Sequence, residues 1–177
     1  MVGLLMTEPF YKKGRELSQK HAVEVYSMAT SFDRIPGHYP PDDTGSSGLA
    51  VMRAAKAIGY INGYSHCFTF QSVLNALQVG PVITGTNWYS SFDYPNENGL
   101  VGINPDAEIR GGHEYQCFAI DIENQLAWFW NSWGEDWGIK PPRCGWENAK
   151  GAFCMKFETW KQLLEDQGDV TRPMLLK

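Results

Sequence analysis

Residues 49–58, Leu-Ala-Val-Met-Arg-Ala-Ala-Lys-Ala-Ile, place two apolar stripes on a single helix. Leu49, Met52, Ala55 and Ile58 recur at helical spacing as one stripe, and Ala50, Ala54 and Ala57 as a second, smaller one. A helix that is large on one side and small on the other is suited to burial between layers. Its limits are marked in the sequence. Asp42-Asp-Thr-Gly-Ser-Ser-Gly48 is a loop offering Thr44, Ser46 and Ser47 as N-caps, and Gly59 supplies a stop.

The flanking sequence supplies the layers. Residues 15–30 form an amphipathic pattern, with Leu17, Ala22, Val25, Tyr26 and Ala29 inward and Arg15, Glu16, Lys20 and Glu24 outward. The connector Ile35-Pro-Gly-His-Tyr-Pro-Pro41 forbids helix and favours an extended path. A short helix is expected at Gln71–Gln78, stopped by Gly80. Beyond it the period changes to two. Strands are expected at 81–89, 114–122, 126–131 and 152–157, with a short one at 100–103. Residues 134–151 read as a Gly/Pro loop and 157–165 as a last helix. Helices first and antiparallel strands later imply an α+β class. There is no internal repeat and no low-complexity tract.

At 177 residues the chain suits one compact unit. Its net charge of −5 and scattered Lys and Arg argue against nucleic-acid or anionic-membrane partners. The apolar start, Met1 to Met6, is too short for a signal peptide or a span, so a soluble protein without a secretory signal is expected. Cys67, Cys117, Cys144 and Cys154 form no C-x-x-C pair, and free thiols are expected. A zinc site from His66, Cys67, Cys144 and Cys154 fits no common spacing, so neither metal nor cofactor is expected.

The most specific motif is Trp130-Asn-Ser-Trp-Gly134, followed by Trp137-Gly138. Upstream, Gly111-Gly-His-Glu-Tyr115 opens a strand, with His113 placed 18 residues before Asn131, a separation a hairpin can close. Gly80-Pro-Val82 opens an earlier strand. Together with the loop before the central helix, these segments resemble the papain-like cysteine peptidases, in family order, over roughly residues 40–160. The compact length and the Asp-Thr-Gly-Ser-Ser-Gly and Gly-Gly-His-Glu segments resemble papain-like proteins encoded by bacteriophages of actinobacteria.

The resemblance implies a central helix packed on an antiparallel sheet or partial barrel. It divides the chain into an N-terminal helix and connector (1–39), a papain-like domain (40–168) and a tail (169–177). It implies that Asn131 orients the His113 imidazole, that Trp133 shields their hydrogen bond, and that Trp137 and Gly112 belong to the same site. Matching both loop glycines, Gly45 and Gly48, puts Thr44 at the oxyanion position and Ala50 at the nucleophile position. Alanine cannot attack a carbonyl, and Thr44 is too short to replace a glutamine amide. Ser47 is the alternative nucleophile, with His113 as its general base. Three readings follow. The first is a non-catalytic domain that binds a protein or peptide, or serves as a structural part of a virion. The second is a hydrolase of peptide or peptidoglycan amides that uses Ser47. The third is an inhibitor or decoy that uses the old cleft. The first and second would act in the host cytoplasm or the virion.

Overall fold

A computed structural model describes residues 17–139 and 150–174. Helix α1 spans Gln19–Ala29, α2 Gly48–Ile58, α3 Phe70–Leu77 and α4 Phe157–Glu165. The strands are β1 Gly63–His66, β2 Val82–Tyr89, β3 Leu100–Val101, β4 Ile109–Asp121, β5 Leu126–Trp130, β6 Ala152–Lys156 and β7 Asp169–Met174. They form one seven-stranded sheet in the order β1-β7-β2-β4-β5-β6-β3. Every neighbouring pair is antiparallel except β3 with β6. The class is α+β, as the order of periodicities implies. The expected start of the first helix and most of the 134–151 loop lie outside the described residues.

Helix α2 is set by its ends. Ser47 is the N-cap, extended at φ −106° and ψ 152°, and its hydroxyl accepts from the Ala50 N–H at 3.3 Å. Gly59 closes the helix at φ 84°, a conformation that costs other residues strain, and its N–H reaches back to the final carbonyls. Ala50, Met52, Ala54 and Ala55 are buried and pack with Val25 and Ala29 of α1 and Ile83 of β2. The small stripe thus lets helix and sheet approach closely.

The alternation of β2 sends its side chains into two of the three buried clusters among the described residues. Ile83 faces α2, while Val82 and Trp88 join the larger core beneath α3 and α4. That second core is aromatic: Phe129, Phe153 and Trp160 have no accessible surface, and the Trp160 ring meets Phe129 edge-on at 5.0 Å. Burying each such ring stabilises the fold by roughly 2–3 kcal/mol.

Two sequence expectations change. Gly63–His66 forms a strand where none was expected, because its partner is distant in sequence and no local signal marks it. Residues 169–174, read as the start of a tail, form β7 inside the sheet, paired with β1 and β2. Val170 and Thr171 are fully buried there. The run Asp169-Val-Thr-Arg-Pro-Met is short and contains a proline, so it reads as irregular; its position between two strands overrides that. Removing residues 169–177 should abolish the cooperative thermal transition, since it strips one edge from each of two strands. A cooperative melt within a few degrees of the intact chain would show that the sheet closes without β7.

Candidate active site

His113 and Asn131 come together as expected. His113 lies within β4 and Asn131 just past β5, and the antiparallel pairing of these strands brings the His113 Nε2 to 2.8 Å from the Asn131 Oδ1. The same Oδ1 accepts from the Ser132 backbone N–H at 2.7 Å. A backbone N–H can only donate, so that atom is the amide oxygen. His113 Nε2 must then carry a hydrogen, which in the neutral ring leaves Nδ1 bare as a proton acceptor. Burial holds the His113 pKa below its ordinary value, against a smaller opposing effect of the Asn131 bond.

Aromatic rings surround this pair. Trp133 lies 5.3 Å from the imidazole, and Trp88 lies 4.8 Å away, edge-on. Trp133 is 44% exposed, so one face covers the histidine and the other meets solvent. Trp137 packs on Trp133 at 5.3 Å and donates its indole N–H to the Asp93 carbonyl at 2.9 Å. Gly138 lets the chain pass there: a Cβ on it would collide with the Ala152 carbonyl oxygen. Trp88 carried no motif and was missed. The alternation of β2, which puts it on the same face as Val82, was the available signal.

A groove of about 650 Å³ runs past His113 and the start of α2. Thr44, Ser47 and Gly112 line it, as the motif order implies. Ala50 does not. It is 2% exposed and belongs to the core between α1, α2 and the sheet. The register that matched the two loop glycines therefore placed the nucleophile position too far along. The helix begins at Gly48, and two residues further its surface has turned away from the groove. Gly48 lines the groove and has no side chain. Thr44 donates its hydroxyl to the Gly45 carbonyl at 3.1 Å, and Ser47 is engaged as the cap.

Across the groove floor runs a row that the sequence reading did not single out. Gly85 of β2 pairs with Glu114 on one side and Asp169 on the other. A Cβ on Gly85 would lie 2.9 Å from an oxygen of each. A Cβ on Gly48 would lie 2.8 Å from Asp169 Oδ2 and 2.9 Å from Glu114 Oε1. The two carboxyl groups thus converge over one glycine and under another. Burial, and then the neighbouring Asp169, push the Glu114 pKa up to about 7; burial also raises that of Asp169, against lowering by His66 and the Gly85 N–H. Period-two alternation, which turns Glu114 to the face opposite His113, was the signal for one of the two carboxylates.

The thiols lie elsewhere. Cys117 is buried on β4 and Cys154 on β6, while Cys67 is half-buried beside β1. Burial raises the pKa of both Cys67 and Cys117, the opposite of an activated thiol. Cys144 lies outside the described residues. Among the described residues there is no group of three metal-ligating side chains, and no helix is long and apolar enough to cross a membrane.

No protein-family model matches the chain, and no curated protein matches it. Solved structures do. Over 98% of this chain and 60% of the other, it resembles digestive procathepsin L 3 of Tenebrio molitor larval midgut, with TM-score 0.62 and 15% identity. Bromelain protease from Ananas comosus, in complex with the E64 inhibitor, matches over 99% of this chain and 87% of its own, with TM-score 0.61 and 15% identity. Xylellain, a cysteine protease from Xylella fastidiosa, matches over 80% and 49%, with TM-score 0.53 and 20% identity. The fold is papain-like. The chain spans about half of the xylellain chain and three fifths of the procathepsin chain, as those shares state.

The half-buried Glu114 gives this papain-like site a pH signature. Its raised pKa means the folded protein keeps a proton that the unfolded chain releases between about 4.5 and 7. Its stabilising contribution is complete below that window and lost as pH rises through it. Glu114→Gln should therefore gain stability relative to the parent from about pH 4.5 to pH 8, by about 3 kcal/mol at most. His113 acts in the opposite sense, losing stability as pH falls below 6.5, but both proteins carry it and the comparison cancels it. Denaturant titrations across that range read the difference; a constant difference would contradict a proton held at Glu114.

Proposed function

We propose that this papain-like domain binds extended peptide segments in the groove between α2 and β4 without hydrolysing them. One observation carries the reading. Among the described residues no thiol lines the groove, and the helix start that faces it presents Gly48 behind a capping Ser47. Amide hydrolysis on this scaffold needs a nucleophile beside the imidazole, and losing such a group typically costs several orders of magnitude in rate. What supports binding is the remainder of the site. The groove stays open, His113 and Asn131 keep their bond, and Trp133 offers an exposed indole face at its edge.

A second reading has its own support, because Ser47 and His113 line the same groove. In that reading His113 Nδ1 would take the Ser47 proton as general base, and the hydroxyl would have to leave the Ala50 N–H that it now caps. A role in a phage virion belongs with the binding reading, as the resemblance to phage-encoded proteins suggests.

The test is turnover. The parent, His113→Ala and Ser47→Ala are incubated with mixed peptides and with actinobacterial cell wall, and products are read by mass spectrometry. The binding reading expects no product from any of the three. Turnover by the parent that vanishes in both variants would replace it with the serine-hydrolase reading.

A further inference from the structure

Two of the rings around His113 are tied to a single residue, Asp93. The pairing of β2 with β4 slips between Trp88 and Tyr89, and a short helical turn at Ser90–Phe92 then reverses the chain. Asp93 closes that turn, its N–H donating to the Ser90 carbonyl at 3.2 Å. Three of its oxygens accept hydrogen bonds. Oδ1 accepts from the Trp88 indole N–H at 3.0 Å, and the backbone carbonyl accepts from the Trp137 indole N–H at 2.9 Å. Oδ2 accepts from Arg110 Nε at 3.1 Å, and Arg110 Nη2 lies 2.9 Å from the same atom. The turn is also fixed from outside. The Ser90 N–H donates to the Glu108 carbonyl at 2.8 Å, and the Ser91 hydroxyl donates to the Gly102 carbonyl at 2.8 Å.

Ring packing alone would not fix the orientation of these indoles. Trp88 is 2% exposed and meets the rings of His113, Trp133 and Trp137. Edge-to-face contact tolerates a range of tilts and distances. A hydrogen bond at the indole nitrogen is directional, so it selects one orientation, and a buried indole N–H needs such an acceptor. Trp133 rests on Trp88 at 5.0 Å and on Trp137 at 5.3 Å, so one residue holds both of its supports. The Arg110 side chain is 59% exposed, and an ion pair this open contributes little to stability. Its effect is geometric: it turns Oδ2 outward and leaves Oδ1 on Trp88.

We infer that Asp93 is a positioning residue of the His113–Asn131 site, fixing Trp88 and Trp137 so that they set the imidazole and the exposed face of Trp133. Arg110 acts one step further out, by holding the Asp93 carboxylate. This role does not depend on whether the groove binds or cleaves peptides, and so it stands beyond either reading.

Two substitutions of nearly equal shape separate the acceptor from the charge. Asp93→Asn keeps an oxygen for the Trp88 indole and loses the charge, and the exposed Arg110 can turn to water. Asp93→Leu loses both. The His113 ring is titrated by NMR in the parent and in each variant, with thermal melts as the check on folding. In the leucine variant the midpoint should rise by about 0.5 in pH or more, because a released Trp88 lets water reach the imidazole. In the asparagine variant it should stay within about 0.2 of the parent. Asp93→Ala, which admits a water to the indole N–H, replaces the leucine variant if that one does not melt cooperatively, and the same rise is expected. A leucine or alanine variant that melts cooperatively and keeps the parent's midpoint would overturn the inference. Equal falls in both variants would show that Asp93 acts through its charge alone. Equal rises would give the role to the Arg110 ion pair rather than to the acceptor. Either result contradicts the proposal.

Discussion

The site depends on how closely the start of α2 can approach the sheet. At that crossing both partners are glycine: Gly48 opens the helix and Gly85 lies in the strand beneath it. Any side chain at either position would strike the carboxyl groups of Glu114 and Asp169. The helix therefore rests over a row of three strands, β4-β2-β7, whose middle residue is empty and whose outer residues lean inward. The small residues of α2, Ala50, Ala54 and Ala55, continue that close approach along the helix. The groove is what remains open where the helix begins.

This arrangement leaves the His113–Asn131 pair independent of the start of α2. His113 and Asn131 are fixed by the β4–β5 pairing and by the Ser132 N–H, neither of which requires anything from α2. The rings of Trp88, Trp133 and Trp137 pack edge to face against one another and hold the imidazole whether or not a nucleophile faces it. On the helix side Ser47 caps, Gly48 clears the way, and two carboxyls take the space a side chain at that position would enter. Desolvation there raises both pKa values.

Much of this was legible in the residues. The caps of α2, the change of period, and the His113–Asn131 spacing each rest on local rules, and each describes the folded chain; the two stripes do so only in part, since Leu49 and Ala57 are exposed. The register at the helix start was not legible. Matching Gly45 and Gly48 to a pattern of glycines pointed to Ala50, whereas the cap geometry of Ser47 puts Ala50 on the core side. A loop pattern sets which residues are present, but the helix phase sets which way they face. β1 and β7 were hidden for a different reason: each is short, and each exists through pairing with strands far away in sequence. Glu114 was in view beside His113, yet its importance required Asp169, 55 positions on, to arrive at the same glycine.

The central claim is that the imidazole has no anionic nucleophile to pair with. In a working thiolate–imidazole pair the ring is held charged at neutral pH by its partner. Here burial acts on a ring whose hydrogen-bond partner is a neutral amide. An NMR pH titration of the His113 ring, assigned by comparison with His113→Gln, tests this directly. The account requires a midpoint below the ordinary histidine value of 6.5, with the neutral ring protonated on Nε2 above it. A midpoint well above that value, with an imidazolium persisting at neutral pH, would reveal an anion beside Nδ1 and contradict the account.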